Sequence, residues 1–335
     1  MLKELCMLNG TSGREHAVRD YIISKIPSDC KYTVDRLGNI ICEKKGKKRA
    51  KNKVMLSAHM DEVGFIITYI TEDGMLKFNT VGGIDERVVF GRSVTLQSGA
   101  HGVIGSKAFH QLTADEREKV PKIEDLYIDI GAYTKKEAQT VANLGDSAYF
   151  DSDYIEFGDG FVKAKALDDR AGCMMLLELL NSKVEYDLTV AFVVQEEVGT
   201  RGSGVAAFNI KPDYAIVLES TTASDIPNTP DNKKVCKLGE GAVVSYMDRG
   251  TVYDMELYKK AFEVAKKNGI KCQTKTVVAG GNDAAAIHKS GAGVRTLAIS
   301  VPTRYIHSPS SVAKLEDIDS VKRLAFLMAQ ELSNA

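Results

Sequence analysis

At 335 residues the chain is too long for one ordinary compact domain and about right for two. Its apolar fraction of 44% and charged fraction of 27% sit at globular averages, which excludes disordered and fibrous architectures. Forty-four Lys plus Arg balance 45 Asp plus Glu to a formal net charge of −1, so nothing electrostatic favours nucleic acid or an anionic membrane as a partner.

The opening residues mix acid and base with apolar side chains, and no signal peptide is expected from them. Two helices are predicted within the first 30 residues. Ahead of the second, Ser12-Gly-Arg-Glu15 has the pattern of a capping box. Lys53-Val-Met-Leu-Ser-Ala58 reads as a strand buried on both faces. The texture then changes: short strand-like runs near 64–70, 75–79, 94–97, 102–106 and 125–130 are punctuated by glycine, as in small β-barrels. Thr134-Lys-Lys-Glu137 carries a second capping-box signal, and 107–122 is polar, charged and patternless, a candidate loop.

After Phe161 strands and helices alternate: a helix over 170–180, a strand over 188–194, a short helix over 201–208 and a strand over 214–218. Helices 253–267 and 283–290, a strand over 295–301 and a closing helix 315–333 complete the chain. The expected fold is therefore α/β, a mostly parallel sheet flanked by helices and built from 1–66 and 157–335, with 67–156 inserted as a small β-rich domain. No apolar run approaches the roughly 18 residues of a membrane helix. Six cysteines are scattered without a C-x-x-C pair, which favours a reduced, cytoplasmic chain over a disulfide framework.

In open α/β sheets ligands bind beyond the carboxyl ends of the strands. The predicted strands here end in His59-Met-Asp61, in Gln195-Glu-Glu197, in Glu219 and in the run to His307, while Asp168-Asp169 precedes a helix. Charges at a sheet's rim are expensive to desolvate unless paired or metal-bound, and two His with several carboxylates suit Zn²⁺ or a similar divalent ion. Two such ions would need a bridging carboxylate, for which either residue of Asp168-Asp169 is placed. Asp61 is spaced to accept the second imidazole N–H of His59. Of Glu196 and Glu197, pointing opposite ways from a strand end, one can ligate metal while the other acts as general base.

Five ordered motifs, Ala58-His-Met-Asp-Glu-Val-Gly64, Ala166-Leu-Asp-Asp-Arg-Ala-Gly172, Gln195-Glu-Glu-Val-Gly199, Ala279-Gly-Gly-Asn-Asp-Ala284 and Arg304-Tyr-Ile-His-Ser-Pro309, closely resemble those of the tetrahedral aminopeptidases. These are dinuclear metallopeptidases of glutamyl and deblocking type, some labelled cellulase M or endoglucanase, and the likeness spans essentially the whole chain. The resemblance implies a zinc-exopeptidase-like domain and a PDZ-like insertion serving oligomerisation and chamber access. It also implies that His59, Asp168, Glu197, Glu219 and His307 hold two divalent metal ions, zinc first with cobalt or manganese as alternatives. Asp168 would bridge them, Glu196 would be the general base and Asp61 would orient His59. Many relatives carry Asp at position 219, so Glu219 bears on metal preference. Tetrahedral homo-oligomers of twelve chains are implied as well.

The expected activity is removal of N-terminal residues from peptides through a bridging water with Glu196 as base, with an amide deacylase on the same site as the alternative. Gly280 and Gly281 read as a turn before a helix N-cap at Asn282 or Asp283, whose N–H groups the resemblance would turn toward a substrate carbonyl. His110, in the 107–122 segment, could by the same resemblance reach a neighbouring subunit's site. His16 and His288, on predicted helices, read as packing or surface residues, and the basic run Lys44–Arg49 as a solvated turn. An acidic N-terminal preference would need a buried cation in the pocket, and Arg249 and Lys289 are the candidates that their neighbouring loops suggest.

Overall fold

The computed structural model describes all 335 residues. Strands Val54–His59 and Leu188–Val193 are buried at every position, as continuous apolar runs with layers on both sides require. They lie at the centre of a large sheet whose path runs Lys31–Val34, Ile40–Lys44, Leu188–Val193, Val54–His59, Tyr214–Thr222, Arg295–Arg304, Ser311–Lys314, Phe161–Ala164 and Ile155–Phe157. The four strands Leu188–Val193, Val54–His59, Tyr214–Thr222 and Arg295–Arg304 pair in parallel. Both margins are antiparallel, so the sheet as a whole is mixed around the expected parallel centre. The outermost pair on each margin is a hairpin, and a short connection can only join antiparallel neighbours.

Helices Leu167–Leu180 and Leu315–Ser333 pack on each other and on the central strands, while Arg201–Ile210 and Ala284–Ile287 form a second pair on the same strands. Between these layers lies a core of 59 buried apolar residues. Leaving the sheet at His59, the chain enters a closed six-stranded barrel, ordered Gly64–Ile70, Leu76–Val81, Tyr127–Asp129, His101–Gly105, Ser93–Leu96 and Ser147–Phe150. Closure removes the sheet edges that would otherwise invite pairing with another chain. The barrel keeps its own core of 15 residues, centred on Phe65, whose ring meets Phe78 and Phe150 edge-on at 5.0 and 4.9 Å. Gly64 stands where the two bodies touch: a Cβ there would lie 2.3 Å from the Thr11 methyl.

Local sequence signals met tertiary competition in several places. Ser12 does not cap the helix His16–Lys25; its hydroxyl donates instead to Asp61 Oδ2 at 2.6 Å, and Glu15 accepts from the amides of Gly13 and Gln195. At Thr134 half of the capping box forms, the hydroxyl accepting from Glu137 N, while the Glu137 carboxylate turns to Tyr133 N. The 107–122 segment contains a short 3-10 turn, Phe109–Gln111, and a one-turn helix, Ala114–Arg117, closed by a complete capping box between Thr113 and Glu116.

Candidate active site

The strand Val54–His59 ends on His59, whose side chain is only 1% exposed. Its Nδ1 lies 3.0 Å from the backbone carbonyl of Asp61. A carbonyl only accepts, so Nδ1 carries the hydrogen and Nε2 is directed at Asp168 Oδ1, 3.4 Å away, and Glu219 Oε1, 3.5 Å away. His307 repeats the arrangement from beyond the strand Arg295–Arg304. Its Nδ1 donates to the Gly83 carbonyl at 2.7 Å, and its Nε2 faces Asp168 Oδ2 at 3.3 Å and Glu197 Oε2 at 3.2 Å. The barrel thus supplies the carbonyl that orients one of the two imidazoles.

Two donor triads share Asp168 and use its two oxygens separately. The adjacent Asp169 gives one of its oxygens to the helix, while its Oδ2 stays buried without a hydrogen-bond partner. Its Oδ1 accepts the Gly172 amide at 3.0 Å and caps the regular part of that helix, since Asp168 and Asp169 themselves lie outside helical φ/ψ. Glu219 is not at a strand end. Tyr214–Thr222 continues past it, but pairing with Val54–His59 stops at Val217–Ser57, and two residues further on Glu219 comes level with His59.

The alternation expected of Glu196 and Glu197 is replaced by a turn. The strand stops at Val193, Gln195 takes a left-handed φ of 59°, and both glutamates then line one cavity. Asp61 holds that turn. Its carboxylate accepts the amides of Glu196 and Glu197 at 3.0 and 3.1 Å together with the Ser12 hydroxyl. The Asp61 Oδ1 is 3.5 Å from His59 Nδ1, so the imidazole N–H goes to the nearer backbone carbonyl rather than to the carboxylate.

Burial raises the carboxyls of Glu196 and Glu219 well above the usual range, and that of Glu197 to about 8 despite the neighbouring His307. For Asp168 burial acts in the same direction, but His307 and His59 outweigh it and hold the group low. Burial alone would lower His307; Asp168 and Glu197 reverse this and lift it to about 9. Buried carboxylates this close together are ionised at once only beside compensating positive charge. Asp168 Oδ1, Asp169 Oδ2 and Glu219 Oε2 are buried without a hydrogen-bond partner. Donor atoms of His59, Asp168 and Glu197, and of His59, Asp169 and Glu219, lie within 4.8 Å of one another. Unpartnered oxygens beside imidazole nitrogens are the donor set of a divalent metal site, and the residues fit one.

The cavity is lined by Asp168, Glu196, Glu197, Glu219 and His307 together with the Gly280–Gly281 segment. Gly280 has a φ of 65°, and a Cβ at Gly280 or Gly281 would meet nothing within 4 Å, so this wall is bare backbone. The helix after it is capped by Asn282, whose Oδ1 accepts the Ala284 amide at 2.9 Å. Asp283 instead is buried with neither carboxylate oxygen hydrogen-bonded, and burial raises it to about 6. His110 is exposed and does not line this cavity, nor do Arg249 and Lys289. The cation that does is Lys275, which sequence reasoning missed: it follows a three-residue strand, Cys272–Thr274, and no local pattern marks its burial.

A family model described as M42 glutamyl aminopeptidase matches residues 38–324. The chain belongs to this family. Over 348 residues, 100% of this chain and 94% of the relative, the M42 chain is 32% identical to the glutamyl aminopeptidase of Lactococcus lactis subsp. cremoris. It is also 31% identical over 343 residues to the lysyl aminopeptidase of Pyrococcus furiosus, covering 99% of this chain and 96% of that one. Among solved structures, the TET1 peptidase of Pyrococcus horikoshii, which can assemble into a tetrahedron or a large octahedral shell, superposes with a TM-score of 0.88. The identity there is 36%, with 99% of this chain and 98% of that chain covered. As a member of an aminopeptidase family with a metal-capable cluster, the M42 chain is a peptide hydrolase.

Proposed function

We propose that this M42 chain is a metal-dependent aminopeptidase with two divalent ions, one held by His59 and Glu219, the other by Glu197 and His307, and both by Asp168. The observation that carries the reading is the separate engagement of the two Asp168 oxygens, each facing one Nε2. When bound, divalent ions at such a site supply Lewis acidity toward the scissile carbonyl and a water of lowered pKa. Zinc suits the nitrogen and oxygen donors best, with cobalt and manganese as substitutes.

Glu196 lines the same cavity but pairs with neither imidazole, which leaves its carboxylate free to take a proton from the attacking water and return it to the leaving amine. Asp61, through the two amides it accepts, sets where that carboxylate stands. The backbone of Gly280 and Gly281 offers N–H groups to the substrate carbonyl. We further infer a homo-oligomer of tetrahedral, twelve-chain type, by likeness to solved structures described as a tetrahedron and as a dodecamer, and we assign the barrel to its contacts and channels. No helix is long and apolar enough to cross a membrane, and all six cysteines are free thiols, which supports a reducing, cytoplasmic setting.

Glu196→Gln tests the base assignment. Turnover of aminoacyl-nitroanilides should fall by a factor of about 10² to 10⁴ while the metal content per chain, read by elemental analysis, stays at the wild-type value. Near-normal turnover in that variant would refute the assignment.

A further inference from the structure

The turn between the strand Leu188–Val193 and the helix Arg201–Ile210 carries both glutamates of the cavity. Four successive amides in it are accepted by side chains from distant parts of the sequence. Val194 N donates to Asn39 Oδ1 at 3.0 Å and Gln195 N to Glu15 Oε1 at 3.2 Å. Glu196 N and Glu197 N donate to the two oxygens of Asp61. Within this run Gln195 is left-handed, with a φ of 59°. That conformation is costly for a residue with a Cβ and persists only where the surroundings impose it.

The two peptide groups flanking the Gln195 Cα have four polar ends. The Val194 carbonyl accepts Gly202 N at 3.0 Å, the Gln195 carbonyl accepts Arg201 N at 3.1 Å, and Glu196 N goes to Asp61. The fourth, the Gln195 N–H, has Glu15 as its acceptor. Glu15 is itself firmly seated, 6% exposed, with the same Oε1 accepting Gly13 N at 2.7 Å. Its segment is anchored on one side by the Ser12 hydroxyl on Asp61 and on the other by the Thr11 hydroxyl on Ser147 of the barrel, at 3.1 Å. Glu15 does not line the cavity, so its influence on the reaction passes through the backbone of Gln195.

Resting on the aminopeptidase reading above, we propose that Glu15 is a positioning residue for the general base, holding Gln195 left-handed and thereby keeping the Glu196 carboxylate in the cavity. Without the Glu15 oxygen the Gln195 N–H is orphaned, and the Val194–Gln195 peptide turns to find another acceptor. Upstream, Val193 is locked in its parallel pairing with His59, so the displacement falls downstream, on Glu196.

The test compares metal-loaded wild type, Glu15→Ala, Glu15→Gln and the double variant Glu15→Ala with Gln195→Gly, all assayed on aminoacyl-nitroanilides well below their melting temperatures. In Glu15→Ala kcat should fall at least about tenfold, with KM within about twofold and metal content at the wild-type value. Glu15→Gln keeps an acceptor oxygen without the charge and should stay within about threefold of wild type. Adding Gln195→Gly removes the cost of the left-handed conformation and should restore kcat of Glu15→Ala by about threefold or more. A crystal structure of metal-loaded Glu15→Ala should show Gln195 out of the left-handed region and the Glu196 carboxylate displaced.

Unchanged kcat in Glu15→Ala would overturn the proposal. So would metal lost in parallel with kcat, which would make Glu15 a support of the whole site. A loss as deep in Glu15→Gln as in Glu15→Ala would assign the effect to charge, and a loss that Gln195→Gly does not relieve would deny the part played by the backbone; either outcome sinks the idea. If the wild type cleaves no aminoacyl-nitroanilide with any metal, the aminopeptidase reading falls by itself. The crystal structure then decides the placement alone: a displaced Glu196 upholds it and an unmoved one overturns it.

Discussion

Asp168 and Asp169 are chemically identical neighbours that the backbone sends to opposite duties. Asp169 closes the first turn of a helix through the Gly172 amide, and Asp168, freed from capping, presents one oxygen to each imidazole. The two substitutions should therefore separate cleanly. Asp168→Asn should lose metal at both positions and all turnover, measured by elemental analysis and nitroanilide assay. Asp169→Asn should keep its metal, with a stability loss of about 1 kcal/mol in chemical denaturation, the usual scale of a lost cap. At this scale the sequence was most informative where chemistry constrains residue type, because few arrangements explain so many His, Asp and Glu beyond strand ends. It was silent on Lys275, whose place in the cavity wall arises only when the segment after Thr274 folds against the Gly280–Gly281 wall. It misled at Ser12, where a helix-capping pattern lost its hydroxyl to a carboxylate 49 residues away.

Among the elements, the strands were legible in proportion to their burial. Val54–His59 and Leu188–Val193 stand out as continuous apolar runs because both faces are covered. The turn that aims Glu196 and Glu197 was not legible, since a left-handed Gln195 has no signature such as the glycine that usually marks that conformation. The far end of the strand Arg295–Arg304 shows how such ends are fixed. Arg304 grips Asp225 through two hydrogen bonds of 2.6 and 2.8 Å, and although burial opposes it, this pairing holds the Asp225 carboxyl below its ordinary value. The depressed value means the contribution is fully present above the unfolded carboxyl value of about 4 and is lost as pH falls through the lower folded value. Acid denaturation should show it: the stability gap between wild type and Asp225→Asn should be widest near neutrality and close below about pH 4.

Two large cores dominate the whole molecule, one of 59 residues in the α/β layers and one of 15 in the barrel, beside a minor cluster of 4. Phe65 fills the centre of the smaller, and Phe65→Ala should cost about 3 to 5 kcal/mol. That loss belongs to the barrel alone, so calorimetry should resolve a barrel transition moved to lower temperature while the α/β transition stays in place. A single transition shifted as a unit would show instead that the two cores melt together.

One bond ties these bodies to the chemistry. The carbonyl of Gly83 belongs to the barrel, and the imidazole of His307 that it steadies belongs to the sheet. A chain emerging from the ribosome has made Gly83 long before His307, and neither is useful until the finished barrel has settled against the finished sheet. The tautomer of His307 therefore depends on how the barrel sits against the sheet: a barrel shifted from its seat would release the imidazole that faces Asp168 and Glu197.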